Sequence, residues 1–424
     1  MQYFTIDPLS IIMTAVLVIV LLPVIIHSVI YFRTYRSTVR ARLVYTGAMT
    51  LLAASLFLGY ISGHIAMTWV FTEITTLAAG ALVYHHREEL ALEAVWKYVF
   101  VCAISVTFIF IGILFWSLAM LHCGCTDLSY TSLMLHSAEM DPRWTRLGFL
   151  FIFAGYTAKM GLFPMFTAGI DAKDNAPTPA AAMLSSVLMN LGFVGIFRAW
   201  AVVSAGGCAQ WGRAVLIAAA MVTLFIATTY MVRVVNMKRL LAYSSIEHAS
   251  IVLLGLCFGR VGVTFSILHL VMHSFVKCGL FLHFGQMAEI YRSKMMDRMG
   301  GYLNINPFGA LVLLLGLFSV TAVPPSGMFM SELGIFRAMI ASGNVWAVIL
   351  TAFFLTVLIW AVVKGIITVI FIPRDASLPP LGQVNVSWAE SITQLLLFAL
   401  AIYIGYCCPG SLMDLVSQTA SMII

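Results

Sequence analysis

This sequence predicts an all-α polytopic membrane protein with about twelve transmembrane helices, arranged as two inverted five-helix repeats that each contain a broken helix. Three observations carry that reading: an apolar composition, apolar runs of spanning length, and basic loops that alternate in side. Of the 424 residues, 62% are hydrophobic and only 9% charged, and mean hydropathy is +1.00. Soluble domains carry about 25% charged residues, so a soluble class is excluded.

A bilayer crossing takes about 20 apolar residues. Such runs fall near 8–31, 43–62, 64–84, 95–120, 146–166, 180–203, 213–232, 240–258, 262–287, 306–333, 345–372 and 388–407. The first run lacks a basic n-region and a small-residue cleavage site, so it reads as a spanning helix and not a secretory signal. Arg33, Arg36, Arg40 and Arg42 follow the first span, and Arg87 the third. Lys173 follows the fifth, Arg233, Lys238 and Arg239 the seventh, Arg292, Lys294 and Arg298 the ninth, and Arg374 the eleventh. The opposite loops hold Arg143, Arg146, Arg213 and Arg260 and little else basic. The positive-inside rule places the rich side in the cytoplasm, so both termini are expected on the outer side.

No linker is long enough to separate soluble domains, so residues 1–424 read as one membrane domain. The fifth span is interrupted at Gly161 and Pro164 just after Lys159, and a loop from Asp171 to Pro179 follows. The tenth is interrupted at Pro324-Pro325-Ser326-Gly327, with Glu332 just beyond. With the first and last helices set aside, ten spans form two blocks, 41–203 and 211–373, and each break falls in the fourth helix of its block. Five is odd, so consecutive blocks run in opposite senses across the membrane, the arrangement of inverted-repeat transporters. Broken helices at membrane depth occur only where protein or water satisfies the freed backbone.

Ionisable residues inside these spans point to a path for protons or ions. Each charge at the bilayer centre costs roughly 3 kcal/mol on insertion scales. Glu73 sits mid-span and is a candidate partner for Lys159. Lys97 opens the next span, where it either snorkels to the surface or joins Glu73 and Lys159. His269, His273 and Lys277 recur every four residues and share one helix stripe, and His248 follows Ser244-Ser245-Ile246-Glu247. Histidine titrates near neutral pH and suits a relay, while no HExxH zinc motif is present. Glu332 either ends the row on the outer side or caps a half-helix. Two unit charges ~6 Å apart at an effective dielectric of about 20 interact by roughly 3 kcal/mol, so one moving neighbour can switch a lysine between holding and releasing a proton. The expected row is Glu73, Lys97, Lys159, His248, His269, His273, Lys277 and Glu332. Lys364 reads as reaching the inner surface, Glu247 as facing the axis beside His248, and His27, His64, His283 and Arg198 as interfacial or structural. Cys123-Gly124-Cys125 and Cys407-Cys408 lack metal or cluster spacing; Cys123 or Cys125 could form a disulfide on the outer face. No haem, iron–sulfur, nucleotide or P-loop signature is visible, nor any nucleic-acid-binding one, so this chain is expected to hold no cofactor or metal and no catalytic residue.

The stretches Gly155 to Pro179, Lys238 to His248 and His269 to Lys277 together resemble the antiporter-like subunits of respiratory complex I, Mrp cation/proton antiporters and membrane-bound group 4 hydrogenases. Glu73-Ile-Thr75-Thr76-Leu77 and Ser245-Ile-Glu247-His248 look most like component F of hydrogenase-4. The resemblance places the family's glutamate on Glu73, its central lysines on Lys159 and Lys277, an auxiliary lysine on Lys97, a histidine on His248 and its outer-channel residue on Glu332. It departs at Ser185, where several complex I members carry histidine. It also sets the first span against the family's third helix, with no counterpart of the two preceding helices or of a long lateral helix. The resemblance implies a proton-translocating subunit of a redox-driven complex in the cell inner membrane, most simply a group 4 [NiFe] hydrogenase or formate hydrogenlyase type. It implies further antiporter-like membrane subunits as partners, with a Ni–Fe centre and iron–sulfur clusters on cytoplasmic partner subunits. The alternatives are a complex I-like NADH dehydrogenase subunit, an Mrp-type module coupling sodium to protons, and a membrane partner of a CO2-hydrating enzyme.

Overall fold

The computed structural model of the chain describes residues 3–34, 37–378, 381 and 388–423; Arg36 lies outside them. Among the described residues, twelve helical segments correspond to the expected spans, and nine of them rest on helices that are individually long and apolar enough to cross a bilayer: α1 (Pro8–Thr34), α2 (Val39–Tyr60), α3 (Ile65–Val83), α4 (Glu89–His122), the pair α8 (Thr178–Ser185) and α9 (Val187–Ala205), α10 (Ala209–Met231), α12 (Gly259–Tyr291), α16 (Val345–Phe371) and α17 (Trp388–Tyr406). The other three are charged near their ends or split in two. In α6 (Pro142–Met160) lie Arg143, Arg146 and Lys159, and in α11 (Met237–Leu256) lie Lys238, Arg239 and Glu247. The third is split into α14 (Pro307–Val320) and α15 (Gly327–Ala341). Short helices α5 (Tyr130–Leu135), α7 (Ala168–Asn175), α13 (Tyr302–Ile305) and α18 (Gly410–Ala420) complete the chain.

Local chemistry sets the ends of the charged spans. Asp141 accepts from Arg143 N at 2.7 Å and Pro142 takes the first helical position, so α6 starts there. It stops at Gly161, whose φ of 85° lies in the left-handed region that favours glycine. Asn236 starts α11 by accepting from Arg239 N at 3.2 Å, and Ser326 starts α15 by accepting from Phe329 N at 3.2 Å. The expected span 180–203 bends at Ser186 between α8 and α9, and the loop expected after Pro164 contains the helix α7.

Helix α12 and the α8–α9 pair are buried on all sides, whereas α4 and α16 keep one face exposed. All-round apolar burial marks a central column, with the other helices around it. At one end of the bundle Phe4 bridges Ser62 and His64 bridges Ser129, and Arg198 donates to Asp7 Oδ2 at 2.9 Å. At the other end lie the arginines and lysines of the basic loops: Arg239 pairs with Asp171 and Asp174, Lys294 with Asp174, and Arg374 donates to Arg298 O at 3.1 Å. The alternation expected from the sequence is thus a separation into a basic end and an opposite end.

The residues set aside as structural do structural work. His64 caps α3 by accepting from Ala66 N, His27 meets Thr393 and His283 meets Gln394. Lys364 is exposed and lies over the Trp360 ring. Cys123 and Cys125 are both free thiols, so the outer-face disulfide is not formed.

Candidate functional site

Lys159 lies on the last turn of α6, and the break beyond it is satisfied within the protein. Gly161 N and Leu162 N both reach Thr157 O, at 2.7 and 3.0 Å, and Phe163 N donates to Thr223 Oγ1 of α10 at 2.9 Å. A freed backbone at this depth needs such partners. The lysine itself is 7% exposed. Its Nζ donates to Thr76 Oγ1 of α3 at 2.7 Å and to Tyr98 OH of α4 at 3.2 Å, with Cys102 Sγ at 3.9 Å.

The expected Glu73–Lys159 ion pair is not made. Thr76 stands three residues beyond Glu73, on the same helix face, and takes the ammonium in its place. Glu73 is half-buried and its Oε2 is buried without a hydrogen-bond partner. Of the two placements open to Lys97, the structure shows the surface one and not the place in the row. Its side chain is 57% exposed and pairs with Glu93 at 2.6 Å and Asp171 at 3.5 Å. One residue turns a helix by about 100°, so it is Tyr98 that faces Lys159 while Lys97 points to the surface at the basic end.

Lys173, which the sequence reading left in a loop, is brought inside. On α7 it is 8% exposed, and it lines a cavity of about 20 Å³ together with Lys159, Tyr98, Leu184, Ala242 and Ile246. That is room for one water. Lys238 is likewise buried and donates to Ala176 O at 3.1 Å. The usable signal for Lys173 was the broken helix: a chain that re-enters the protein after Gly161 carries its next polar residues inward with it.

The second half of the row follows α12. His269, His273 and Lys277 are all wholly buried, on the one stripe their spacing requires. Lys277 Nζ donates to Ser244 Oγ at 2.7 Å and to Leu241 O at 3.2 Å, both on α11. The next serine, Ser245, meets Ser185 Oγ at 2.9 Å, so the position that departs from the complex I pattern links α8 to α11. His248 stands between His269 and His273, with ring centroids at 5.2 and 5.3 Å. Both ring nitrogens of His273 are buried without a partner. His269 Nε2 meets His248 Nδ1 at 3.2 Å, and its Nδ1 meets Ser331 Oγ at 2.9 Å. His248 Nε2 donates to Val320 O, the last carbonyl of α14 before the second break, at 3.1 Å. Glu247 lies beside it, with Oε2 at 3.5 Å from the same nitrogen. Glu332 is 9% exposed and its Oε1 lies 3.9 Å from His248 Nδ1. It does not cap α15, because Ser326 does.

The structure therefore gathers Lys159, His248, His269, His273, Lys277 and Glu332 in the interior, adds Lys173, keeps Glu73 one helical turn from the Thr76 that holds Lys159, and leaves Lys97 outside. A profile of the NADH:quinone oxidoreductase/Mrp antiporter transmembrane family matches residues 62–359, which include every one of these residues. The chain belongs to that family. This family member is 30% identical over 347 residues to the hydrogenase-4 component F homolog of Methylacidiphilum infernorum, an alignment covering 81% of this chain and 72% of that protein. A chain of an archaeal membrane-bound sulfane sulfur reductase matches it with a TM-score of 0.78 and 27% identity, covering 89% of this chain and 75% of that one. A chain of the Mrp complex from a Dietzia species shares its fold at a TM-score of 0.85 and 18% identity, over 99% of this chain and 84% of that one. This chain is thus an antiporter-like membrane subunit of the kind found in hydrogenase- and complex I-type assemblies.

Proposed function

We propose that this subunit carries protons through the membrane along the buried row Lys159–Lys173–Lys277–His273–His248–His269–Glu332, with Glu73 as the acidic neighbour that biases Lys159. The supporting observation is the bonding of the lysines. Lys159 and Lys277 are buried beside broken or polar helix segments, yet each is held by hydroxyl or carbonyl oxygens and has no carboxylate within 4 Å among the described ion pairs. A buried ammonium fixed by a direct carboxylate would hold its proton firmly. One held by neutral oxygens exchanges it when a nearby charge moves, and a shift of a few ångströms at an effective dielectric of about 20 is worth about 1–2 kcal/mol.

The proposed setting is a group 4 [NiFe] hydrogenase or formate hydrogenlyase-type complex, by analogy with the component F relative. In it, Ni–Fe and iron–sulfur chemistry resides on cytoplasmic partner subunits, and further antiporter-like subunits lie alongside in the membrane. The basic end is proposed to face the cytoplasm and both termini the outside. The blocks 41–203 and 211–373 are proposed as inverted repeats. Their supporting feature is that α2 packs on α3, and α4 along α6, as α10 packs on α11 and α12 along α14 and α15.

Purification from native membranes with identification of partners tests the setting: a nickel–iron large subunit is expected, and a set of small antiporter subunits in its place would overturn the hydrogenase assignment. In reconstituted vesicles, Lys159→Ala and Lys277→Ala are expected to abolish coupled proton movement while assembly persists. Full pumping by both would remove the lysines from the mechanism.

A further inference from the structure

Among the described residues, His248, His269 and Glu332 each offer a ligand atom, and these atoms lie within 4.8 Å of one another. The protein around them resolves which atoms carry hydrogens. Val320 O can only accept, so His248 Nε2 carries the proton and its Nδ1 presents a lone pair. Ser331 Oγ donates to Met328 O at 2.8 Å, and in that arrangement it accepts from His269 Nδ1–H, which leaves the His269 Nε2 lone pair facing His248 Nδ1 at 3.2 Å. Two neutral imidazoles with opposed lone pairs repel unless a cation lies between them. With the Ser331 hydroxyl turned round, the same atoms form a hydrogen-bonded chain from Ser331 through His269 and His248 to Val320. One hydroxyl rotor thus separates a metal-free arrangement from a cation-accepting one.

We infer that His248 Nδ1, His269 Nε2 and Glu332 Oε1 form a binding site for a zinc-type divalent cation. Donors ~2.05 Å from a tetrahedral zinc lie about 3.3 Å apart, close to the 3.2 Å between the two nitrogens. Glu332 Oε1, at 3.9 Å from His248 Nδ1, closes by a small side-chain rotation. In the cation-accepting arrangement each imidazole donates its other N–H to a protein oxygen, His248 to Val320 O and His269 to Ser331 Oγ, the outer bond that orients metal-ligating histidines. Two nitrogens and one carboxylate select zinc or copper over sodium, magnesium or calcium, which prefer all-oxygen shells. Pro324 and Pro325, exposed at the α14–α15 break, lie a few residues from Glu332 and are the nearest exposed part of that chain segment. Occupancy would tie up both lone pairs, so zinc would stop proton passage at this end of the row; that consequence rests on the proton-path reading, whereas binding does not.

The test uses the purified complex with Cys123 and Cys125 replaced by serine, so that the thiols beside His122 take no metal. The preparation is stripped with a chelator, dialysed against Zn2+ and measured for metal content and zinc X-ray absorption. One zinc per chain is expected, with light-atom ligands at ~2.0–2.1 Å that include two imidazoles. Glu332→Gln and His269→Gln are expected to lose it, and Ser331→Ala to weaken it about 10–100-fold. Size-exclusion profiles establish that each variant is assembled. Absence of zinc from the assembled parent complex would overturn the site. So would zinc retained undiminished by Glu332→Gln and Ser331→Ala, or a shell without two imidazoles. Metal content is read without any pumping, so loss of the site and loss of the proton-path reading are separate results.

Discussion

Replacing Lys159 by arginine separates charge from proton exchange. The two hydroxyls that receive the ammonium, Thr76 Oγ1 at 2.7 Å and Tyr98 OH at 3.2 Å, accept from a guanidinium as well as from an ammonium. The adjoining cavity of about 20 Å³ accommodates part of the wider head group. The surroundings therefore treat the two cations similarly, and the intrinsic gap between them survives. Arginine holds its proton more tightly than lysine by about 2–3 pH units, or roughly 3–4 kcal/mol. If Lys159 must release a proton in each cycle, Lys159→Arg lowers coupled transport by about 100–1000-fold. Lys159→Met, which keeps the length without the charge, also falls to background. The assay is a pH-sensitive dye in proteoliposomes containing the whole complex, driven by its electron donor, with assembly followed by size exclusion. Transport by Lys159→Arg at more than half of the wild-type rate, in a fully assembled complex, would refute proton release at this position.

Four further outcomes follow from the packing. Lys97→Ala is expected to change transport by less than about twofold, because exposed ion pairs contribute little, whereas Lys173→Ala is expected to reduce it to background in the same vesicles. Gly192→Ala places a Cβ 2.6 Å from Met160 N and 3.0 Å from Lys159 C, backbone atoms that cannot swing aside; a loss of about 1–3 kcal/mol is expected as a lower Tm in detergent. Asp7→Ala leaves the buried Arg198 with only the carbonyls of Ser62 and Tyr60; about 3 kcal/mol is expected to be lost, measured by denaturant titration of the solubilised chain.

The sequence by itself determined the solvent in which this protein folds, the number of its crossings, the segregation of basic loops and the places where two helices must break. Those features are written in composition, in run length and in proline and glycine, which act through the local backbone. It also determined the stripe His269–His273–Lys277, because helical periodicity is a local property. What it could not specify were distances between helices. Lys97 and Tyr98 are neighbours in the chain but point about 100° apart, and only the packing of α4 against α6 decides that the tyrosine meets Lys159. Thr76, and not Glu73, receives that lysine for the same reason. Lys173 became an interior residue because α7, which carries it, folds back under the break, and Lys238 because the end of that helix lies over it, with Ala176 O accepting from its Nζ. The meeting of His248 and His269, on consecutive helices, with Glu332 from α15 exists only in the assembled bundle, because it depends on how three helices pack and not on any local pattern.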